Sequence, residues 1–175
     1  MFSQVTEENS GSNDNWYALY VRARHEKKVE QQLQRIHVQT YLPLRRVLRQ
    51  WSDRKKWIDQ PLFSSYIFIQ TDEKGRYNAL RTFGAVKIIS FNGKPAVVQK
   101  SEIENIKNIL RENPSAESCP ILSAGDRVLV IRGPLTGLQG NLLEIKNKHR
   151  LVVAIDSIKQ AMCFDVDISD INVVK

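Results

Sequence analysis

Cysteine is nearly missing from this 175-residue chain: Cys119 and Cys163 are the only two, with no CxxC spacing and no neighbouring histidine. That scarcity argues against a disulfide scaffold or a zinc site, and both side chains are expected to be reduced thiols. Histidine is also scarce, and His25, His37 and His149 stand in unrelated contexts. Asp165, Asp167 and Asp170 have strand and turn spacing and are expected to face water. Nothing is left from which to assemble clustered carboxylates or a partnered histidine, so no catalytic residue is assigned. The chain is expected not to be an enzyme and to hold neither metal nor cofactor. Long apolar runs are missing too: none approaches the roughly 18 residues that a membrane span needs. Residues 1–15 lack the basic start and apolar stretch of a secretory signal. They are expected to form a disordered tail on a cytoplasmic, monomeric protein with no membrane partner.

What is present is enough for a core. The hydrophobic content is 42% and the charged content 26%, a balance that suits one medium domain or two small ones. The net charge of +7 is placed unevenly. Trp16 to Leu110 carries 18 Lys+Arg against 8 Asp+Glu, whereas Arg111 to Lys175 carries 8 of each. The excess belongs to the first part alone, which points to a polyanion there; the plainer alternative is that it serves solubility.

Trp16 to Val21 is rich in β-formers and reads as a strand. Val29, Leu33 and Ile36 then share one face of a helix over His25 to Ile36. Gln39 to Trp51 and Arg54 to Gln70 read as a long hairpin with its tip at Ser52 and Asp53. Asp72 to Phe83 is a second helix, with Tyr77, Leu80 and Phe83 or Gly84 expected on its buried side. Ala85 to Val98 reads as two short strands about the turn Asn92-Gly93-Lys94. Ser101 is the expected N-cap of a third helix, with Glu104 as its capping-box partner and Ile103, Ile106, Ile109 and Leu110 on one face. The order predicts an α+β domain over 16–110, with helices packed on a mostly antiparallel sheet. Residues 111–123 read as a linker. Five short strands over 124–175 predict a small SH3-like β-barrel.

Two segments carry a resemblance. Gly125-Asp126-Arg127-Val128-Leu129-Val130 followed by Gly133-Pro134-Leu135, Gly137 and Gly140 resembles the KOW motif. WYALYVRARHEKKVEQQL, YLPLRRV, PLFSSYIFI and the GKPAVV hairpin are similar to the NGN domain of the NusG family. The order NGN, linker, KOW is more specific than either part, and RQWSDRKK with Pro61-Leu62-Phe63 looks most like the specialised UpxY-type antitermination paralogs. Those relatives are associated with capsular polysaccharide operons. One departure stands out: the family has Pro-Gly or a close variant where Ser64 and Ser65 stand, which leaves the local twist of that strand open.

The resemblance implies a surface for the clamp helices of RNA polymerase at Tyr20, Phe63, Tyr66 and Phe68, although the same aromatics could instead fill the sheet's core. It places Arg76, Tyr77 and Asn78 near a motif that meets the polymerase gate loop. It also implies a contact with non-template DNA at Arg22 and Lys28, with Arg24 and His25 as neighbours. Independently, Arg45, Arg46, Arg49, Arg54, Lys55 and Lys56 flank Trp51 and Trp57, a combination suited to non-template DNA or nascent RNA; the tryptophans could equally fold back over the hairpin. In the barrel, Leu135, Ile158, Lys159 and Gln160 match positions where relatives contact Rho or a small-subunit ribosomal protein. The relatives' aromatics are missing at Leu135 and Ile158, which argues against Rho. The function implied is a transcription elongation or antitermination factor that keeps the polymerase clamp closed. The alternative is a ribosome-associated RNA-binding KOW protein, against which the neutral charge of the second part argues.

Overall fold

Four consecutive buried residues, Trp16 to Leu19, mark the first strand as covered on both faces. In the computed structural model, residues 14–51, 53–121, 125–145 and 148–174 are described. The expected tail lies outside the described residues as far as residue 13, and so does Ser52 at the expected hairpin tip. The N-terminal half comprises β1 (Asn15–Val21), α1 (Glu26–Arg35), β2 (Gln39–Tyr41), β3 (Leu44–Gln50), β4 (Lys55–Pro61), β5 (Tyr66–Thr71), α2 (Glu73–Leu80), β6 (Ala85–Ile88), β7 (Ser90–Phe91), β8 (Lys94–Pro95), β9 (Val97–Val98) and α3 (Lys100–Glu112). Its main sheet runs β2-β5-β1-β6, with β9 also on β1, and every pairing is antiparallel.

Side chains alternate across a strand, and here the alternation feeds two cores. Tyr17, Leu19 and Val21, with Ile67 and Ile69, pack under Val29 and Leu33 of α1 and Ala79 of α2. Trp16, Ala18 and Phe68 point the other way, onto Ile103, Ile106 and Ile109 of α3. The helix period over Val29 and Leu33 was legible; Ile36 falls beyond α1 and is exposed. The cap of α3 is Gln99 rather than Ser101, and its capping-box carboxylate is Glu102, whose Oε2 accepts from the Gln99 N–H at 3.1 Å. Asn92 and Gly93 both take positive φ between β7 and β8, as a tight hairpin turn requires.

Of the expected buried side of the second helix, Gly84 just past its end is buried and the rest is wrong. Only Ala79 is buried in α2, while Tyr77, Leu80 and Phe83 are exposed. The reason is packing: α1 already covers that sheet face, and a helix of 8 residues adds little to it.

The C-terminal half holds β10 (Glu117–Cys119), β11 (Asp126–Val130), β12 (Gln139–Ile145), β13 (Lys148–Ile155), a 3₁₀ turn (Asp156–Ile158), β14 (Gln160–Asp165), a second 3₁₀ turn (Ile168–Asp170) and β15 (Ile171–Val173). The strands follow the order β10-β14-β13-β12-β11-β15, all antiparallel. Among the described residues this path is open, so a closed barrel is not formed by strand pairing. Six strands replace the expected five, because the stretch expected to be a linker contributes β10 at one edge. Gly140 is required where it stands, since a Cβ there would lie 2.5 Å from the Val152 carbonyl oxygen. Cys119 and Cys163 are free thiols on the neighbouring strands β10 and β14.

The two halves share one core. Phe63, Phe68 and the α3 isoleucines belong to the same buried cluster as Val128, Leu151, Ile155, Ile158 and Met162. Among the described residues no helix is long and apolar enough to cross a membrane.

Candidate functional site

The expected aromatic surface is split by burial. Tyr20 and Tyr66 face each other across β1 and β5, with rings edge to face at 5.4 Å, and both remain half-buried. Phe63 and Phe68 are buried, their rings perpendicular at 6.3 Å. Neither phenylalanine offers a surface in this arrangement, because α3 and the C-terminal half share the cluster that covers them.

What meets the tyrosine pair is the loop expected to bind a different partner. Gln160 hydrogen-bonds the Tyr66 side chain. Burial and the neighbouring Tyr20 push the Tyr66 phenol above its ordinary value, with the Gln160 bond working against them. The Lys159 ammonium lies 5.3 Å from the Phe91 ring centre, and the Asp156 N–H donates to Glu102 Oε1 at 3.0 Å. Ile158 is buried and Leu135 packs against the core. The residues expected to hold polymerase and those expected to recruit a second partner therefore occlude each other.

The cations of the first loop converge. Arg22 and Lys28 approach the Phe83 ring centre at 5.6 and 5.4 Å, and the His25 ring lies 6.0 Å from it. Arg24 is exposed in a left-handed backbone conformation, φ 64°. Arg76 packs over Tyr17 at 4.7 Å, while Tyr77 and Asn78 are exposed on α2.

Strands β3 and β4 form a separate two-stranded hairpin. Trp51 is 56% exposed and Trp57 54% exposed, so neither folds back to cover it. The Arg46 guanidinium lies 5.7 Å from the Trp57 ring centre. Arg45 is half-buried, and Arg49, Arg54, Lys55 and Lys56 are exposed. Arg49 stands directly opposite Lys56, a like-charge pairing that opposes the hairpin unless an anion lies on it. Among the described residues, no group of three or more His, Cys, Asp or Glu side chains is placed to hold a metal.

The family description "Transcription termination factor nusG" matches residues 14–107, more than half of the chain. The chain belongs to the NusG family. That family is one of transcription factors. Thermotoga maritima NusG, in a structure of its domain interaction, is similar over 93% of this chain and 98% of its own, with a TM-score of 0.59 at 19% identity. That likeness concerns the fold, and it extends into the C-terminal half. A chain of the MjSpt4:Spt5 complex in conformation B is 12% identical over 91% of this chain and 97% of its own, at a TM-score of 0.32.

Within the NusG frame, the Ser64-Ser65 departure resolves locally. Ser65 takes φ 67°, the left-handed conformation a glycine would adopt freely, and β5 starts at the next residue. Its buried N–H donates to Glu26 Oε1 at 2.8 Å. Glu26→Ala is expected to lower the unfolding free energy by about 1–3 kcal/mol, because it leaves that donor without a partner. Urea denaturation measures it, with Glu26→Gln, which keeps an acceptor, falling between the two. Sequence reasoning missed Glu26, Phe83, Phe91 and Glu102. The one available signal was Glu102 three residues after Gln99, a capping-box spacing passed over for Ser101.

Proposed function

We propose that this chain is an elongation factor whose N-terminal domain binds the clamp helices of RNA polymerase through the Tyr20–Tyr66 face. Phe63 joins that face once the C-terminal domain, the counterpart of a KOW barrel, moves off, while Phe68 stays under α3 as part of the core. Clamp binding favours the elongating state and disfavours pausing and release, so the factor promotes read-through. Arg76, Tyr77 and Asn78 reach toward the gate loop, and the cations of the first loop and the hairpin lie along non-template DNA or nascent RNA. The RQWSDRKK segment supports the finer reading, a UpxY-type antitermination factor for a capsular polysaccharide operon.

The observation that carries this reading is the packing of Tyr66 against the buried cluster in which Phe63 meets Ile158 and Met162 of the C-terminal half. A docked C-terminal domain lowers the fraction of molecules competent for polymerase and frees Ile158, Lys159 and Gln160 for a ribosomal protein only after separation. Apparent affinity is reduced by that fraction. Glu102→Ala removes the acceptor of the Asp156 N–H at the contact, so it is expected to tighten polymerase binding roughly tenfold, from the worth of a hydrogen bond to a charged group. Tyr66→Ala is expected to weaken it. Titration with core polymerase, followed by single-round transcription through a terminator, tests both. If neither variant nor the parent chain binds polymerase, the reading is wrong.

A further inference from the structure

Two cysteines separated by more than forty residues need not meet, yet the register of β10 and β14 brings them together. Glu117 stands opposite Cys163, and Cys119 stands opposite Ala161. Cys119 and Cys163 are therefore diagonal neighbours on one face of the sheet. Met162 and Phe164 of β14 belong to the shared core. The cysteines lie on the opposite face, where Cys119 packs against a small cluster of Cys163, Val152 and Ala161. Cys163 is 4% exposed, whereas Cys119 is half-buried. One sulfur is open to small solutes, and the other is enclosed beside it.

The Arg150 guanidinium borders the pair. It lies 3.5 Å from Glu117 of β10 and 3.3 Å from Asp165 of β14, so it holds the start of β10 and brings a positive charge beside the sulfurs. Hydrogen bonding from the Cys119 thiol draws the Cys163 thiol down to about 7, against the burial that raises it. Arg150 adds to the fall, and Glu117 and Asp165 oppose it. The thiolate is the form that attacks a disulfide, so Cys163 is prepared to react once its neighbour carries a leaving group. Diagonal neighbours have Cα atoms about 7–8 Å apart, slightly more than the roughly 6.8 Å that a disulfide spans. Strand β10 has three residues and pairs with β14 alone, so a shift on the order of 1 Å disturbs few ladder bonds.

We propose that Cys119 and Cys163 form a reversible disulfide, made by exchange with a low-molecular-weight disulfide, that locks β10 onto β14. Cys119 Sγ loses its proton to solvent and attacks the small disulfide. One S–S bond forms, one breaks, and the first small thiol leaves. Cys163 Sγ, as thiolate, then attacks Cys119 Sγ and expels the second. The protein's two thiols are oxidised, the small disulfide is reduced to two thiols, and the two protons end on them. A bond that draws an edge strand out of its relaxed place is more oxidising than a structural one, so small reduced thiols open it again. The site does not depend on the polymerase reading.

The test is incubation of the full chain in a series of reduced and oxidised glutathione mixtures, read by intact mass and by mapping of peptides digested without reductant. The parent chain is expected to become lighter by two hydrogens, with the Cys119 peptide joined to the Cys163 peptide and no glutathione retained. Excess reduced glutathione is expected to restore both thiols. Cys163→Ser is expected to keep one glutathione on Cys119, because the resolving sulfur is gone, and Cys119→Ser to take up none, because Cys163 is buried. Hydrogen exchange of the β10 amides that bond β14 is expected to slow by roughly tenfold or more in the oxidised chain. A parent chain that keeps glutathione, keeps both thiols across the series or joins two copies through Cys119 overturns the proposal. So does a Cys119–Cys163 bond that forms without slowing those amides, or one that excess reduced glutathione does not open. Should either serine variant fail to fold, the joined peptides of the parent chain still decide.

Discussion

Phe68→Ala is expected to lower the unfolding free energy by about 3–5 kcal/mol, the range for removing a fully enclosed phenylalanine ring. Phe68 is 0% exposed. It stands on β5 opposite Ala18 of β1 and Tyr41 of β2, at the middle of the sheet. Its ring stacks with Tyr41 at 6.3 Å and meets Phe63 edge-on. Neither neighbouring strand can shift to fill the space without giving up ladder hydrogen bonds, so most of the cavity would persist. Because the ring belongs to the cluster shared by both halves, both should melt at a lower temperature. Chemical denaturation followed by far-UV circular dichroism measures the effect. A loss under about 1 kcal/mol, within the range of ordinary surface substitutions, would mean that the ring contributes little to this core and would return it to the list of free interface residues.

The second large effect is expected at the hairpin. Replacing Arg45, Arg46, Arg49, Arg54, Lys55 and Lys56 together with glutamine should reduce nucleic-acid affinity on the order of a thousandfold at low salt. The salt slope should fall by roughly 4 to 5 for the six contacts. The register of β3 and β4 puts Arg45, Arg49 and Lys56 on one face and Arg46 and Lys55 on the other, so a strand wrapping the hairpin could engage both. Glutamine keeps a polar, hydrogen-bonding side chain without the charge, and the Val47–Ile58 pair remains to hold the register. Removing the Arg49–Lys56 repulsion should leave the hairpin at least as stable as before. Anisotropy titrations across a salt series measure the slope, and an unchanged slope would show that these cations do not meet phosphates.

Much of the fold was legible because period and turn chemistry are local. The spacing of Val29 and Leu33, the Asn92-Gly93 turn and the close approach at Gly140 depend on residues near one another in the chain. What covers a face is not local. Period two puts Phe68 on the face opposite Ile67 and Ile69, but it does not reveal that both faces of the sheet are occupied. The burial of Phe63 follows from a C-terminal half more than sixty residues away in the chain. The same limit misplaced Phe83: its spacing from Tyr77 and Leu80 fits a buried stripe, yet α1 had already taken that face. Ser65 was an open question in sequence because serine rarely adopts positive φ, and the buried Glu26 carboxylate that holds its N–H lies thirty-nine residues earlier.

Strand β10 has a consequence for how far apart the two halves can travel. While it stays zipped to β14, only residues 113–116 remain between the end of α3 and the C-terminal sheet. At roughly 3.3–3.6 Å per extended residue, that leash reaches about 14 Å. If β10 peels away, the leash runs from 113 to 125 and reaches about 45 Å. A single three-residue strand thus sets the search radius of whatever the C-terminal half carries, and with it the effective concentration at which a tethered partner meets the rest of the molecule.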